Sequence, residues 1–158
     1  MLTRRPKPAP KSRKVRRQLP AEATEPLKAI ERRTSAIAGW GVYALEPITK
    51  NSRIVTYAGE KISWKESDRR EQAYLKKGCI WCFILNRRTV RDAAVGGNIA
   101  RFINHKCKPN CYTQIIGDLI WIRAGRTIRK GEELTYNYET EGGAGIRCLC
   151  RPGCKTLL

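Results

Sequence analysis

Acidic residues are scarce in this chain, histidine occurs once, and no long apolar run interrupts it. Of 158 residues, 14 are Asp or Glu against 32 Lys or Arg, giving a formal net charge of +18. A field of that sign repels basic partners at long range. It favours nucleic acid or nucleoprotein, held through phosphate contacts that salt weakens. No stretch approaches the roughly 18 apolar residues of a membrane span, and the N-terminus has no apolar segment of the secretory kind. A soluble, intracellular protein with no membrane partner is the expectation. No internal repeat is present. The single histidine, His105, has no second histidine, paired carboxylate or serine nucleophile beside it in the sequence; a proton-shuttling role stays open but has no such partner nearby in the chain.

What is present suffices for one domain with an appendage: hydrophobic residues make up 41% of the chain, with four Trp and six Tyr. The first 26 or so residues are mostly Pro, Lys and Arg and cannot bury enough surface to offset chain entropy. Residues 1–27 are therefore expected to form a disordered basic arm, either a solubilising tail or a tether to nucleic acid. Beyond it, Ile30, Ile37, Val42 and Ala44 begin a strand-like alternation interrupted by Gly39 and Gly41. Further short strands are predicted over 54–57, stopped by Ala58-Gly59, within the apolar run 79–85, and over 119–122. Only 63–76 reads as helix, with Ser63 as N-cap and Glu66 completing a capping box. The fold class is mainly β with short helices.

Seven cysteines and no secretory signal point to metal ligation rather than a disulfide framework. Cys148, Cys150 and Cys154 supply three thiolates within seven residues, whereas a structural zinc takes four tetrahedral ligands. The fourth falls to Cys107 or Cys111. Cys79 and Cys82 form a Cys-x-x-Cys in a strand-like run, away from a helix start, which suits core packing better than redox chemistry. Asn104 beside His105 suits holding a ligand by hydrogen bonds. Gly39-Trp40-Gly41 allows close backbone approach beside an aromatic plate. Tyr136 and Tyr138, two apart, lie on one face of a strand and can direct both hydroxyls at one guest.

In order, Gly39-Trp40-Gly41-Val42, Tyr57-Ala58-Gly59-Glu60, the stretch from Gly97 to His105, Pro109-Asn110, Glu133-Leu134-Thr135-Tyr136-Asn137-Tyr138 and the terminal cysteines resemble the SET-domain protein lysine methyltransferases with a post-SET cysteine segment. The resemblance covers about residues 30–158. It implies a SET fold of the β-clip type with a pseudoknot-like threaded C-terminal segment. The implied division is a SET domain over 28–140 and a post-SET zinc segment over 141–158. S-adenosylmethionine and the substrate lysine would enter a channel from opposite sides. By position, Tyr138, Tyr57 and Tyr136 become the catalytic and lysine-channel residues. Ala38, Gly39, Trp40, Trp81, Arg101, Asn104, His105 and Leu149 become cofactor contacts, and Cys107, Cys148, Cys150 and Cys154 the ligands of a structural zinc. The resemblance thereby selects Cys107 over Cys111. Tyr at position 136 favours mono- or dimethylation.

Two positions depart from the family pattern. Three residues, not the common four, separate Cys150 from Cys154, and Trp81 stands where another aromatic such as Tyr is usual. The implied partner is a lysine-bearing protein, a histone or a nucleoid protein, with nucleic acid reached through the basic arm. The implied location is the nucleus and chromatin in a eukaryote, or the cytoplasm and nucleoid in a bacterium. The competing reading is a non-catalytic basic module that binds nucleic acid or chromatin. Nothing in the sequence sets an oligomeric state.

Overall fold

The computed structural model describes residues 24–140 and 142–158. Residues 1–23 of the expected basic arm lie outside the described residues, as does Glu141 at the start of the expected zinc segment. Among the described residues no helix is long and apolar enough to cross a membrane.

Short strands make up most of the regular secondary structure, in the order β1 (Ile30–Thr34), β2 (Trp40–Ala44), β3 (Arg53–Thr56), β4 (Glu60–Ser63), β5 (Cys82–Ile84), β6 (Thr89–Asp92), β7 (Asn104–His105), β8 (Cys111–Ile116), β9 (Leu119–Ala124) and β10 (Glu133–Tyr136). They form three small sheets, ordered β1-β2-β10-β7, β3-β9-β8 and β4-β6-β5. All pairings are antiparallel except β10 with β7, which runs parallel and sets Asn104 opposite Thr135 and His105 opposite Tyr136. The core lies between the sheets and is mostly aliphatic: Val42, Ile48, Ile54, Ile120, Ile122 and Leu134 are fully buried. At about 1.5–3 kcal/mol for each such side chain, this burial is the main source of stability.

The single α-helix among the described residues, α1 (Trp64–Leu75), lies where the sequence predicts one and begins at Ser63, whose hydroxyl accepts from the Glu66 N–H at 3.3 Å. The reciprocal half of the capping box gives way to ion pairing, because the Glu66 carboxylate is taken by Arg69 and Arg70. Gly78, with φ +71, ends the helix in a Schellman pattern: Cys79 N–H donates to the Tyr74 carbonyl and Gly78 N–H to that of Leu75. That turn consumes the first half of the apolar run 79–85, so only Cys82–Ile84 is strand.

β1 and β2 form a hairpin in which Thr34 faces Trp40. Gly39, with φ +45, supplies the left-handed turn between them. A 3-10 turn at Ile99–Phe102, capped by Asn98, delivers the chain into β7. The stretch after β10 then lies against 103–105, the close crossing that the resemblance implies.

Candidate active site and cysteine cluster

Asn104 and His105 hold their positions because β7 pairs with β10, extended by a hydrogen bond from Lys106 N–H to the Tyr136 carbonyl at 3.2 Å. The Asn104 amide donates to the carbonyls of Trp40 at 2.9 Å and Ala38 at 3.2 Å, and lies 2.9 Å from Glu133 Oε1. Asn104 thus fixes the Ala38–Trp40 turn to the strand that carries the histidine. The same Glu133 carboxylate accepts from the Ser35 hydroxyl at 2.8 Å and the Tyr43 hydroxyl at 3.1 Å. A Cβ at position 41 would displace this carboxylate from the position its hydrogen bonds hold, which favours glycine there. Glu133 belongs to a quoted motif, yet only the fold reveals it as the hub of this turn.

His105 is buried, and burial lowers its pKa, which keeps the ring neutral near pH 7. Its Nδ1 accepts from Tyr138 N–H at 3.1 Å, so the ring proton sits on Nε2, 3.6 Å from Cys107 Sγ. The Tyr138 hydroxyl donates to the Ile103 carbonyl at 2.7 Å. With its backbone on His105 and its hydroxyl on Ile103, Tyr138 is anchored at both ends. Its ring stands edge-on to His105, with centroids 5.4 Å apart.

From Tyr138 a wall of rings runs inward. Tyr136 lies 4.9 Å from Tyr138, Phe83 is 6.3 Å from Tyr136, and Tyr57 is 5.4 Å from Phe83, centroid to centroid. The Tyr57 hydroxyl donates to the Trp81 carbonyl at 2.9 Å. β10 ends at Tyr136, so Tyr138 reaches this face from the turn beyond the strand rather than by strand alternation. Burial raises the pKa of all three tyrosines, keeping them protonated and uncharged near neutral pH. These rings line a cleft of about 710 Å³, walled on one side by α1 and on the other by residues 137–140 with Gly143 and Ala144. Phe83 carried no signal in the sequence.

The remaining expected cofactor residues lie along one edge of this arrangement. Trp40 is about half exposed. The Arg32 guanidinium sits 4.3 Å from the Trp40 ring and 4.7 Å from Phe102, and that of Arg101 lies 4.7 Å from Phe102 and 5.6 Å from Trp81. This alternation of rings and guanidiniums joins Trp40 to Trp81. Leu149 is exposed and lines a second cleft with Lys106, Lys108 and Arg151. No hydrogen bond or ring contact among the described residues ties Leu149 to the Ala38–Trp40 turn. An exposed aromatic plate, a turn with open space above Gly39 and a neutral imidazole fit a flat, polar small molecule.

Cys107, Cys148, Cys150 and Cys154 converge, with every Sγ within 4.8 Å of the others. Cys107 Sγ lies 3.8 Å from Cys148 Sγ and 3.7 Å from Cys154 Sγ. Tetrahedral zinc with Zn–S near 2.3 Å requires sulfur–sulfur edges of about 3.8 Å, so the donor set fits that ion. The short Cys150 to Cys154 loop closes because Gly153 takes φ +70 and Cys154 N–H donates to the Arg151 carbonyl. Hydrogen bonds from Thr156 hold the Cys154 thiol down at about 6, while burial pushes Cys148 up to about 12. Cys111 sits in the main core, its thiol pushed up to about 12 by burial, outside the cluster. Cys82 is likewise pushed up to about 12 by burial, and both Cys79 and Cys82 are free thiols.

Residues 39–139 match the SET domain family. The histone-lysine N-methyltransferase, H3 lysine-4 specific, of Debaryomyces hansenii is 44% identical over 146 residues, covering 85% of this chain and 13% of the relative. The Candida albicans protein of the same description is 46% identical over 135 residues, 78% of this chain and 13% of its own length. That of Kluyveromyces lactis is 42% identical over 148 residues, 87% and 15%. The chain thus spans about an eighth of the length of the curated relatives it matches.

Proposed function

The chain belongs to the SET-domain family, and from that premise we propose that it transfers a methyl group from S-adenosylmethionine to a protein lysine side chain. The observation that carries the reading is the anchoring of Tyr138 between His105 and Ile103 beside the ring-lined cleft. When bound, the cofactor supplies an electrophilic methyl group on a sulfonium. The Ala38–Trp40 turn, Asn104, His105, Arg101, Trp81 and Leu149 are the residues we propose to hold it.

The substrate lysine must first lose its proton. From a pKa near 10.4 that costs roughly 4.6 kcal/mol at pH 7. Tyr57, Phe83, Tyr136 and Tyr138 strip water from the amine, and desolvation disfavours its charged form. The tyrosine hydroxyls are themselves protonated, so none of them adds a negative charge to hold the ammonium. No strong general base is needed. The larger contribution is alignment of the amine for in-line attack, a positioning effect worth about 7–11 kcal/mol when the geometry is held. The anchored Tyr138 and the paired strands β7 and β10 provide that rigidity. We further propose that Tyr136 limits the space around the amine, favouring mono- or dimethylation.

The four thiolates hold a structural zinc in this reading, and His105 Nε2–H donates toward the Cys107 sulfur. The SET domain occupies 28–140 and the zinc segment 141–158. The substrate named for the relatives, histone H3 lysine 4, is the first substrate to try, and it favours chromatin over a bacterial nucleoid as the location. Nucleic acid contact through the basic arm is accessory; the non-catalytic module gains its support from the +18 charge alone. Incubation with S-adenosylmethionine and histone H3, read by mass spectrometry for methyl-lysine, tests the proposal. Cofactor-independent, salt-sensitive DNA binding with no methyl-lysine on H3 or any other basic protein offered would leave only the binding module.

A further inference from the structure

We infer that Glu71 is a specificity-determining residue that recognises a positively charged side chain flanking the target lysine. The inference rests on the methyltransferase reading and adds to it a preference for basic substrate sequences. The chain carries 32 Lys and Arg against 14 Asp and Glu. Yet the cleft that holds Tyr57, Tyr136 and Tyr138 has no Lys or Arg on its wall; its charged lining, among the described residues, is Glu71 from α1 and Glu139 from the opposite side. The second cleft, by contrast, is lined by Lys106, Lys108, Arg126 and Arg151 as well as Glu132 and Glu133.

Ion pairing on α1 explains why Glu71 is available. Arg70 is shared among Glu60, Glu66 and Asp92, and Arg69 is paired with Glu66. Arg69 and Arg70, the helix's two arginines, are therefore spent on other carboxylates, Lys65 lies outside the cleft lining, and Glu71 forms no ion pair among the described residues. It is half-buried beside Leu75 and Ile80 of the cleft wall. Burial and the nearby charges of Asp68 and Asp92 raise its pKa, while a hydrogen bond from Cys82 lowers it. A carboxylate so placed gains from a guanidinium or ammonium that arrives with the substrate, because a charge-assisted hydrogen bond strengthens as water is excluded. Glu139 lies exposed at the rim, where solvent screens its charge, and contributes less. An overall cationic enzyme can then accept a basic tail through a local reversal of sign.

The test uses the full chain, S-adenosylmethionine and synthetic peptides with one central lysine, carrying arginine or its uncharged isostere citrulline at successive positions on either side. We expect one position at which arginine raises kcat/KM roughly tenfold or more, mainly through KM. E71Q should bring that ratio close to one. E71K should invert it, so that a peptide with glutamate at the same position is preferred, a gain that a misfolded variant cannot produce. A wild type with no preference at any position, or a preference unchanged in E71Q and E71K, overturns the inference and leaves the methyltransferase reading intact. No transfer by the wild type to any peptide or to histone H3 removes both.

Discussion

Removing zinc should release the C-terminal segment and disable the site. Without metal, residues 142–158 retain a small cluster of Cys148, Cys154 and Leu158 packed against Ile80, Ile146 and Tyr138. To this are added the Arg147–Leu157 bridge and a few backbone hydrogen bonds, such as Cys148 N–H to the Thr156 carbonyl. Burial of one leucine and a few partly buried neighbours supplies a few kcal/mol, whereas ordering the backbone costs about 1–2 kcal/mol for each residue. The segment cannot hold itself. A four-thiolate zinc, with apparent binding free energies of about 10–16 kcal/mol in small structural sites, supplies the difference. The sulfur–sulfur distances of 3.7 and 3.8 Å are already those of its tetrahedron. Hydrogen exchange over 142–158 should therefore be slow in the purified protein and fast after chelation, with one zinc released for each chain. Methyl transfer should fall with it, because Tyr138 packs on this cluster. Replacing Cys154 by Ser should reproduce the effect. Unchanged protection after chelation, with no zinc recovered from the denatured protein, would refute the reasoning.

Glu133→Gln keeps an acceptor oxygen toward Asn104 and turns the oxygen that accepts from Tyr43 into a donor, so the Tyr43 hydroxyl must reverse; we expect a loss of about 1–3 kcal/mol in cofactor binding by calorimetry, with Glu133→Ala losing more. Gly41→Ala drives a methyl group into the same carboxylate and should lower the unfolding temperature as well as cofactor affinity. Tyr136→Phe should shift the product toward higher methylation states in mass spectra, with the fold unchanged. Burial keeps Tyr57, Tyr136 and Tyr138 protonated, so kcat/KM should rise with pH as the free substrate lysine deprotonates, by about tenfold per unit below its pKa. No inflection from a tyrosine should appear below pH 10.

The sequence made the chemistry more legible than the folding around it. The Ser63 cap, the helix that follows it, and the Cys148, Cys150 and Cys154 triplet could be read from residue type and spacing, because each uses local geometry; spacing left the fourth cysteine open between Cys107 and Cys111, and the family resemblance selected Cys107, which the fold brings in from 41 residues away. Strand alternation was to align Tyr138 with Tyr136, and Tyr138 instead reaches that face from a turn where Glu139 takes φ +54 and donates its N–H to the Asn137 side chain. β4, β6 and β8 carried no clean alternation, and their burial does not alternate either: β4 buries one residue of four, β6 three of four and β8 one of six. Phe83, Glu133 and Glu71 are long-range features. Each gains its role only when β5, β10 and α1 are brought to the Asn104-His105 crossing, which no local pattern encodes.

The most direct measurement is the initial rate of transfer of labelled methyl from S-adenosylmethionine to histone H3 by the wild type and by Tyr138→Phe. Losing the hydroxyl frees Ile103 and loosens the ring beside the amine while leaving the burial of Tyr138 intact. A fall of roughly a hundredfold or more, with unfolding temperature and zinc content preserved, is what the anchored tyrosine requires. Transfer at the wild-type rate by the folded variant would contradict it.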